Sequence, residues 1–171
     1  KRVFIYLKAF KQLLPLLELL AKSDLSIIFY TGGLKLNQQI KEWPANIYTN
    51  QLPLDMDQIA QQCDFAILNG NHESFAFFSS KGIPCLNIPL QKEQSILAQL
   101  ANQSGANISA NAHDLEGMVK AINYLIENNS VKGKVKQLAD SLNSQFQLSS
   151  ECTEKVTQQI IANKIEALVQ K

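Results

Sequence analysis

Apolar runs too short for a helix alternate along the chain with longer stretches whose apolar residues recur every three to four positions. The runs VFIYL (3–7), SIIFYT (26–31), NIYT (46–49), FAIL (65–68), CLNI (85–88) and ANIS (106–109) are rich in β-branched and aromatic residues and read as strands. A six-stranded parallel sheet with crossover helices follows, in a three-layer α/β/α arrangement.

Between the first two runs, Leu13, Leu16, Leu17 and Leu20 share one helical face, and Pro15 is tolerated only near the start of that helix. Met56, Ile59, Ala60 and Cys63 repeat the spacing behind Asp55, a ready N-cap. A helix over 94–104 places Ile96, Leu97, Leu100 and Ala101 inward and stops at Gly105. The clearest stripe is Leu115, Met118, Val119, Ile122, Leu125 and Ile126, and His113, just ahead of Asp114, lies at the entrance of that helix. Two further helices are predicted over 131–146 and 154–169. The last carries Val156, Ile160, Ile161, Ile165 and Leu168 on one side, with no strand after it to pack on. The organisation is therefore one domain over 1–150 and a closing helix in 151–171. No internal repeat or low-complexity tract interrupts it.

Composition narrows the function classes. Sixteen basic and fifteen acidic residues leave a net charge of about +1, so no global field draws the chain to nucleic acid or to an anionic membrane surface. Any anion must be held locally. Cys63, Cys85 and Cys152 are odd in number and lack a CxxC, against both a disulfide framework and a zinc site. With no apolar run of membrane-spanning length and no signal-peptide layout, a soluble protein of the cytoplasm is expected. A chain that starts directly on a strand at Lys1-Arg2-Val3 reads as part of a longer protein.

The chemistry concentrates in ILNGNHESFAFFSSKGIP, residues 67–84. Ligands of open parallel sheets gather outside the carboxyl ends of the strands, and the turn 69–74 lies there. The first amides of a helix have no intrahelical partners and carry partial positive charge. Gly70, Asn71, His72, Glu73 and Ser74 therefore form either a plain turn capped by Asn or Ser, or an anion site in which main-chain donors, the Ser74 hydroxyl and His72 hold a phosphate. Glu93 and Gln94 open the next helix at the same edge; they either place favourable charge at its start or meet hydroxyls of a ligand. Gly32 and Gly33, after the second strand, serve a flexible turn or a close approach of backbone to ligand. No Ser-His-Asp or metal-ligand grouping assembles, and no catalytic residue is assigned.

The order turn, apolar helix, GIP, strand, Pro, Glu-Gln, helix ending Ser-Gly-Ala resembles the C-terminal, donor-binding domain of GT-B glycosyltransferases of the UDP-glycosyltransferase-like group, a Rossmann-like fold. That family reads approximately HGGxGTxxEALxxGxPxxxxPxxxDQ. Anchored on Gly82-Ile83-Pro84, its histidine falls on Asn69, its glycine pair on Gly70 and Asn71, its later glycine on Glu73 and its Thr on Ser74. Its ribose-binding glutamate falls on Phe77, and its Asp-Gln on Glu93-Gln94. The likeness in element order runs from Val3 to about Phe146, while the specific motif is confined to 69–94. The resemblance implies a nucleoside diphosphate sugar, of UDP or dTDP type, as substrate, with no further cofactor or metal. The diphosphate would lie on Gly70–Ser74, sugar hydroxyls on Glu93 and Gln94, and the nucleoside near Gly32, Gly33, Leu54 and Asn69. It implies as partner an N-terminal acceptor domain absent from this sequence, without which the chain would not turn over. Other readings are a non-catalytic Rossmann-like interaction domain with a degenerate donor site, or half of a sugar-nucleotide epimerase of the same fold.

Overall fold

A computed structural model describes residues 1–34, 42–103 and 105–144. Six strands, β1 (Arg2–Tyr6), β2 (Ser26–Tyr30), β3 (Ile47–Asn50), β4 (Phe65–Leu68), β5 (Cys85–Asn87) and β6 (Ile108–Ser109), form one sheet in the order β3-β2-β1-β4-β5-β6. Every neighbouring pair is parallel. Between them lie α1 (Leu13–Leu20), α2 (Met56–Gln62), α3 (His72–Ser80) and α4 (Lys92–Gln103), followed by α5 (Leu115–Glu127) and a helix α6 over 129–144. This is the expected doubly covered α/β layout, Rossmann-like in its strand order.

Alternate residues of the central strands feed two cores. Val3, Ile5, Phe29 and Ile67 pack with Leu13, Leu16, Leu17 and Leu20 of α1 and with Met118, Ile122 and Leu125 of α5. On the other face Phe4, Ala66, Leu68 and Cys85 pack with Ile59 and Ala60 of α2 and Phe78 of α3. Phe78 is fully buried, with ring centroids 5.4 Å from both Phe4 and Phe77. A ring so enclosed contributes about 3–5 kcal/mol measured by truncation to alanine. Pro15 sits in the first turn of α1, where its missing N–H would have had no partner. Asp55 caps α2 as predicted, its Oδ1 accepting from the amides of Asp57 (3.0 Å) and Gln58 (3.2 Å). Asp114 caps α5 through the Gly117 amide at 2.9 Å, with His113 exposed just before it. Cys63 and Cys85 are buried free thiols. Burial pushes the Cys63 thiol up to about 11 and the Cys85 thiol further up, so both behave as small apolar groups.

One helix differs from its expected orientation. α4 begins at Lys92 and turns Gln94, Ala98 and Ala101 inward. Ile96 and Leu100 are each 58% exposed and Leu97 is half-buried. Small alanines let α4 approach β6, and the buried Gln94 carboxamide finds polar partners beneath it, so the larger apolar residues are rotated outward. The predicted helix over 131–146 starts two residues earlier. Its last two residues, Cys152, the helix over 154–169 and the boundary at 151 lie outside the described residues. No described helix is long and apolar enough to cross a membrane.

Candidate functional site

From β1 the chain proceeds to one side of the sheet and from β4 to the other, so the connections part at the carboxyl edge between these two strands. That divergence is where open α/β sheets leave a crevice. A cleft of about 510 Å³ opens there. One wall is Gly70, Asn71, His72, Glu73 and Ser74; Glu93 and Gln94 face it with Ile96, Leu97 and Leu100 of α4, and Tyr6 and Gln91 complete the lining.

Three carboxamides shape this wall. Asn69 is buried; its Oδ1 accepts from the Lys8 amide (2.6 Å) and its Nδ2 donates to the Ile88 carbonyl (2.9 Å), clipping the ends of β1 and β5 together. Gln94 Oε1 accepts from the amides of Leu90 (2.8 Å) and Gln91 (3.2 Å), while its Nε2 donates to Asn71 Oδ1 at 2.8 Å. Asn71 is the N-cap residue of α3, and its backbone carbonyl accepts from Phe75 N–H at 2.9 Å, but its side chain makes no capping bond. The group that would have closed the helix start is held by Gln94 instead. The first-turn amides of α3 are left without a side-chain cap beside the cleft. Gly70 joins β4 to this helix with φ +78°, a left-handed conformation that a side chain would strain.

Of the residues singled out from sequence, Gly70–Ser74, Glu93 and Gln94 come together around the cleft. Gln94 reaches it with both ends of its carboxamide already bonded, as a brace rather than a free hydroxyl partner. Asn69 does not line the cleft, since its functional atoms are spent on the strand ends. Gly32 (φ +51°) lies against the rings of Tyr6 and Tyr30, one remove from the cleft through Tyr6. Among the described residues nothing lies within 4 Å of a Cβ built on Gly33, and Leu54 packs on the α2 core. Phe77 stands edge-on to Phe78 with Lys81 Nζ 5.6 Å from its ring centre, a packing position.

The sequence pattern does not single out Tyr6, Gln91, Ile96, Leu97 and Leu100 as lining residues. Tyr6 was discoverable as the last residue of the central strand, whereas the α4 residues carried a helical pattern that reads as core. Among the described residues the side chains of Glu73 and Glu93 make no ion pair, and no Lys or Arg lines the cleft. Among the described residues no group of three or more His, Cys, Asp or Glu side chains converges as a metal site.

No protein-family model and no curated protein matches the sequence. Solved structures do match in fold. The calicheamicin glycosyltransferase CalG4 superposes with a TM-score of 0.73 over 92% of this chain at 12% identity. The glycosyltransferase SnogD from Streptomyces nogalater gives 0.68 over 84% at 19% identity. The spinosyn rhamnosyltransferase SpnG, complexed with thymidine diphosphate, gives 0.67 over 84% at 18% identity. The chain shares the fold of GT-B glycosyltransferases. It spans 43%, 38% and 42% of the lengths of those three chains, so the GT-B likeness concerns less than half of each.

Proposed function

We propose that this chain is the nucleotide-sugar donor-binding half of a glycosyltransferase, its cleft holding the diphosphate of a nucleoside diphosphate sugar. The observation that carries the reading is the uncapped start of α3 at the switch point of the sheet, left open because Gln94 holds the Asn71 side chain. Main-chain amides of His72, Glu73 and Ser74 would bind the phosphate oxygens, with the Ser74 hydroxyl and the exposed His72 ring as further donors. The nucleoside would extend past Tyr6 toward Gly32, Gly33 and Leu54, and Glu93 would accept from sugar hydroxyls. As the acceptor bonds to the anomeric carbon and the bond between that carbon and the β-phosphate oxygen breaks, the electron pair goes to that oxygen, and the helix start stabilises the added charge. Deprotonation of the acceptor belongs to a second, N-terminal domain, and the isolated chain is expected to be inactive.

The fold shared with SpnG, whose structure contains thymidine diphosphate, supports a thymidine diphosphate as the ligand, and a uridine diphosphate is the other expected ligand. A non-catalytic interaction domain is favoured by one observation: among the described residues two carboxylates, Glu73 and Glu93, line the cleft and no Lys or Arg does. Titration calorimetry with thymidine and uridine diphosphates separates the two. Millimolar or tighter binding, weakened by Ser74→Ala and His72→Ala, supports the donor site; absence of heat at high ligand concentration ends it in favour of the interaction domain.

A further inference from the structure

Asn87, the last residue of β5, is 1% exposed, and neither Oδ1 nor Nδ2 of its side chain has a hydrogen-bond partner among the described residues. A buried carboxamide without partners disfavours the folded state, and an apolar side chain of similar shape at the same position would not. The neighbouring buried carboxamides of Asn69 and Gln94 use both of their ends. Asn87 is in register with Leu68, and Leu68 with Tyr6, so the three side chains lie on one face of the sheet in its last row. Tyr6 lines the cleft.

Gly70 adjoins the carboxamide. A Cβ placed on Gly70 would stand 3.6 Å from Asn87 Oδ1, and Gly70 itself lines the cleft. Gly70 is thus a cleft-lining neighbour of the unpartnered amide, and glycine is the residue type that changes conformation with least steric penalty.

We propose that Asn87 is a buried binding residue of the cleft, its unpartnered carboxamide turning so that Nδ2 donates to a phosphate oxygen of a nucleoside diphosphate when the Gly70 turn yields. This rests on the donor-site reading and adds to it a ligand contact from the sheet itself, beneath the amides of α3. The hydrogen bond that the protein's own groups do not supply is made in the complex.

The test is titration of the full-length protein with thymidine diphosphate and, separately, with thymidine, alongside thermal unfolding. Asn87→Leu is expected to weaken thymidine diphosphate by about tenfold, leave thymidine unchanged, and keep or raise the unfolding temperature. Asn87→Asp, which keeps the shape but replaces the donor with an acceptor of like charge to phosphate, is expected to weaken it at least as much, and it serves if the leucine variant does not fold. Unchanged diphosphate affinity in either variant, or equal loss for both ligands, overturns the proposal. Ser74→Ala separates the two readings: if it weakens the diphosphate and Asn87→Leu does not, only the Asn87 contact falls. If the wild-type protein binds no thymidine diphosphate, both fall.

Discussion

Helices α2 and α3 flank β4, pack on the same face of the sheet, and begin in opposite ways. α2 is closed by Asp55, whose carboxylate takes the amides of Asp57 and Gln58. α3 begins at Asn71, an equally competent capping residue, yet its side chain turns to Gln94 and the helix start stays open. A good N-cap is worth about 1 kcal/mol. α2 lies within ordinary structural economy, whereas α3 forgoes that stabilisation at the one edge where an open sheet accepts ligands. The difference teaches that capping chemistry depends on competing partners as much as on residue type.

Replacing Gln94 with Leu gives the largest expected effect on this contrast. It strips acceptors from the Leu90 and Gln91 amides and releases Asn71, so the fold should lose about 1–3 kcal/mol in urea unfolding. The freed Asn71 side chain should then cap α3 and weaken nucleoside diphosphate binding, making α3 resemble α2. An unchanged affinity in a folded variant would show that the Asn71–Gln94 bond does not keep the site open. Asp55→Ala comes next, with a loss of about 1 kcal/mol and no change in nucleotide affinity, since α2 is closed without reference to the cleft. Any effect of that variant on binding would erase the distinction between the two helices.

Glu73→Gln is a smaller perturbation. A carboxylate in the first turn competes with phosphate for the same positive potential, so its removal should tighten nucleoside diphosphate binding several-fold at low salt, by about 0.3–1 kcal/mol. Weaker binding would mean that Glu73 serves the ligand directly.

The smallest effect concerns the opposite edge of the sheet. Burial works against the charge of Asp64, but the Arg2 amide (2.9 Å), Lys132 (3.0 Å) and Lys1 outweigh it and hold the carboxyl below its ordinary range. A depressed folded pKa contributes stability above about pH 4 that is lost as the pH falls through the folded value. Unfolding temperature should therefore drop on acidification below that point, and Asp64→Asn should flatten this part of the profile while leaving the cleft unaffected.

Much of the molecule was legible residue by residue. Leu13, Leu16, Leu17 and Leu20 announced α1, Asp55 announced α2, and Gly70–Ser74 marked the turn that borders the cleft, because periodicity, capping and turn preference act over a few neighbouring positions. Ile96 and Leu100 misled, since a helical apolar pattern states that a face exists without stating which side of the helix meets the sheet. The sequence by itself determined the order of strands and helices and the place of the turn after β4. Only the tertiary structure decided that Asn69 joins two strand ends 61 residues from its Lys8 partner, and that Asn71 gives its carboxamide to Gln94 rather than to its own helix. It alone left Asn87, beside Gly70, without a partner among the described residues. Each of these outcomes is a competition among distant groups for one polar side chain, and such a competition has no local pattern to betray it.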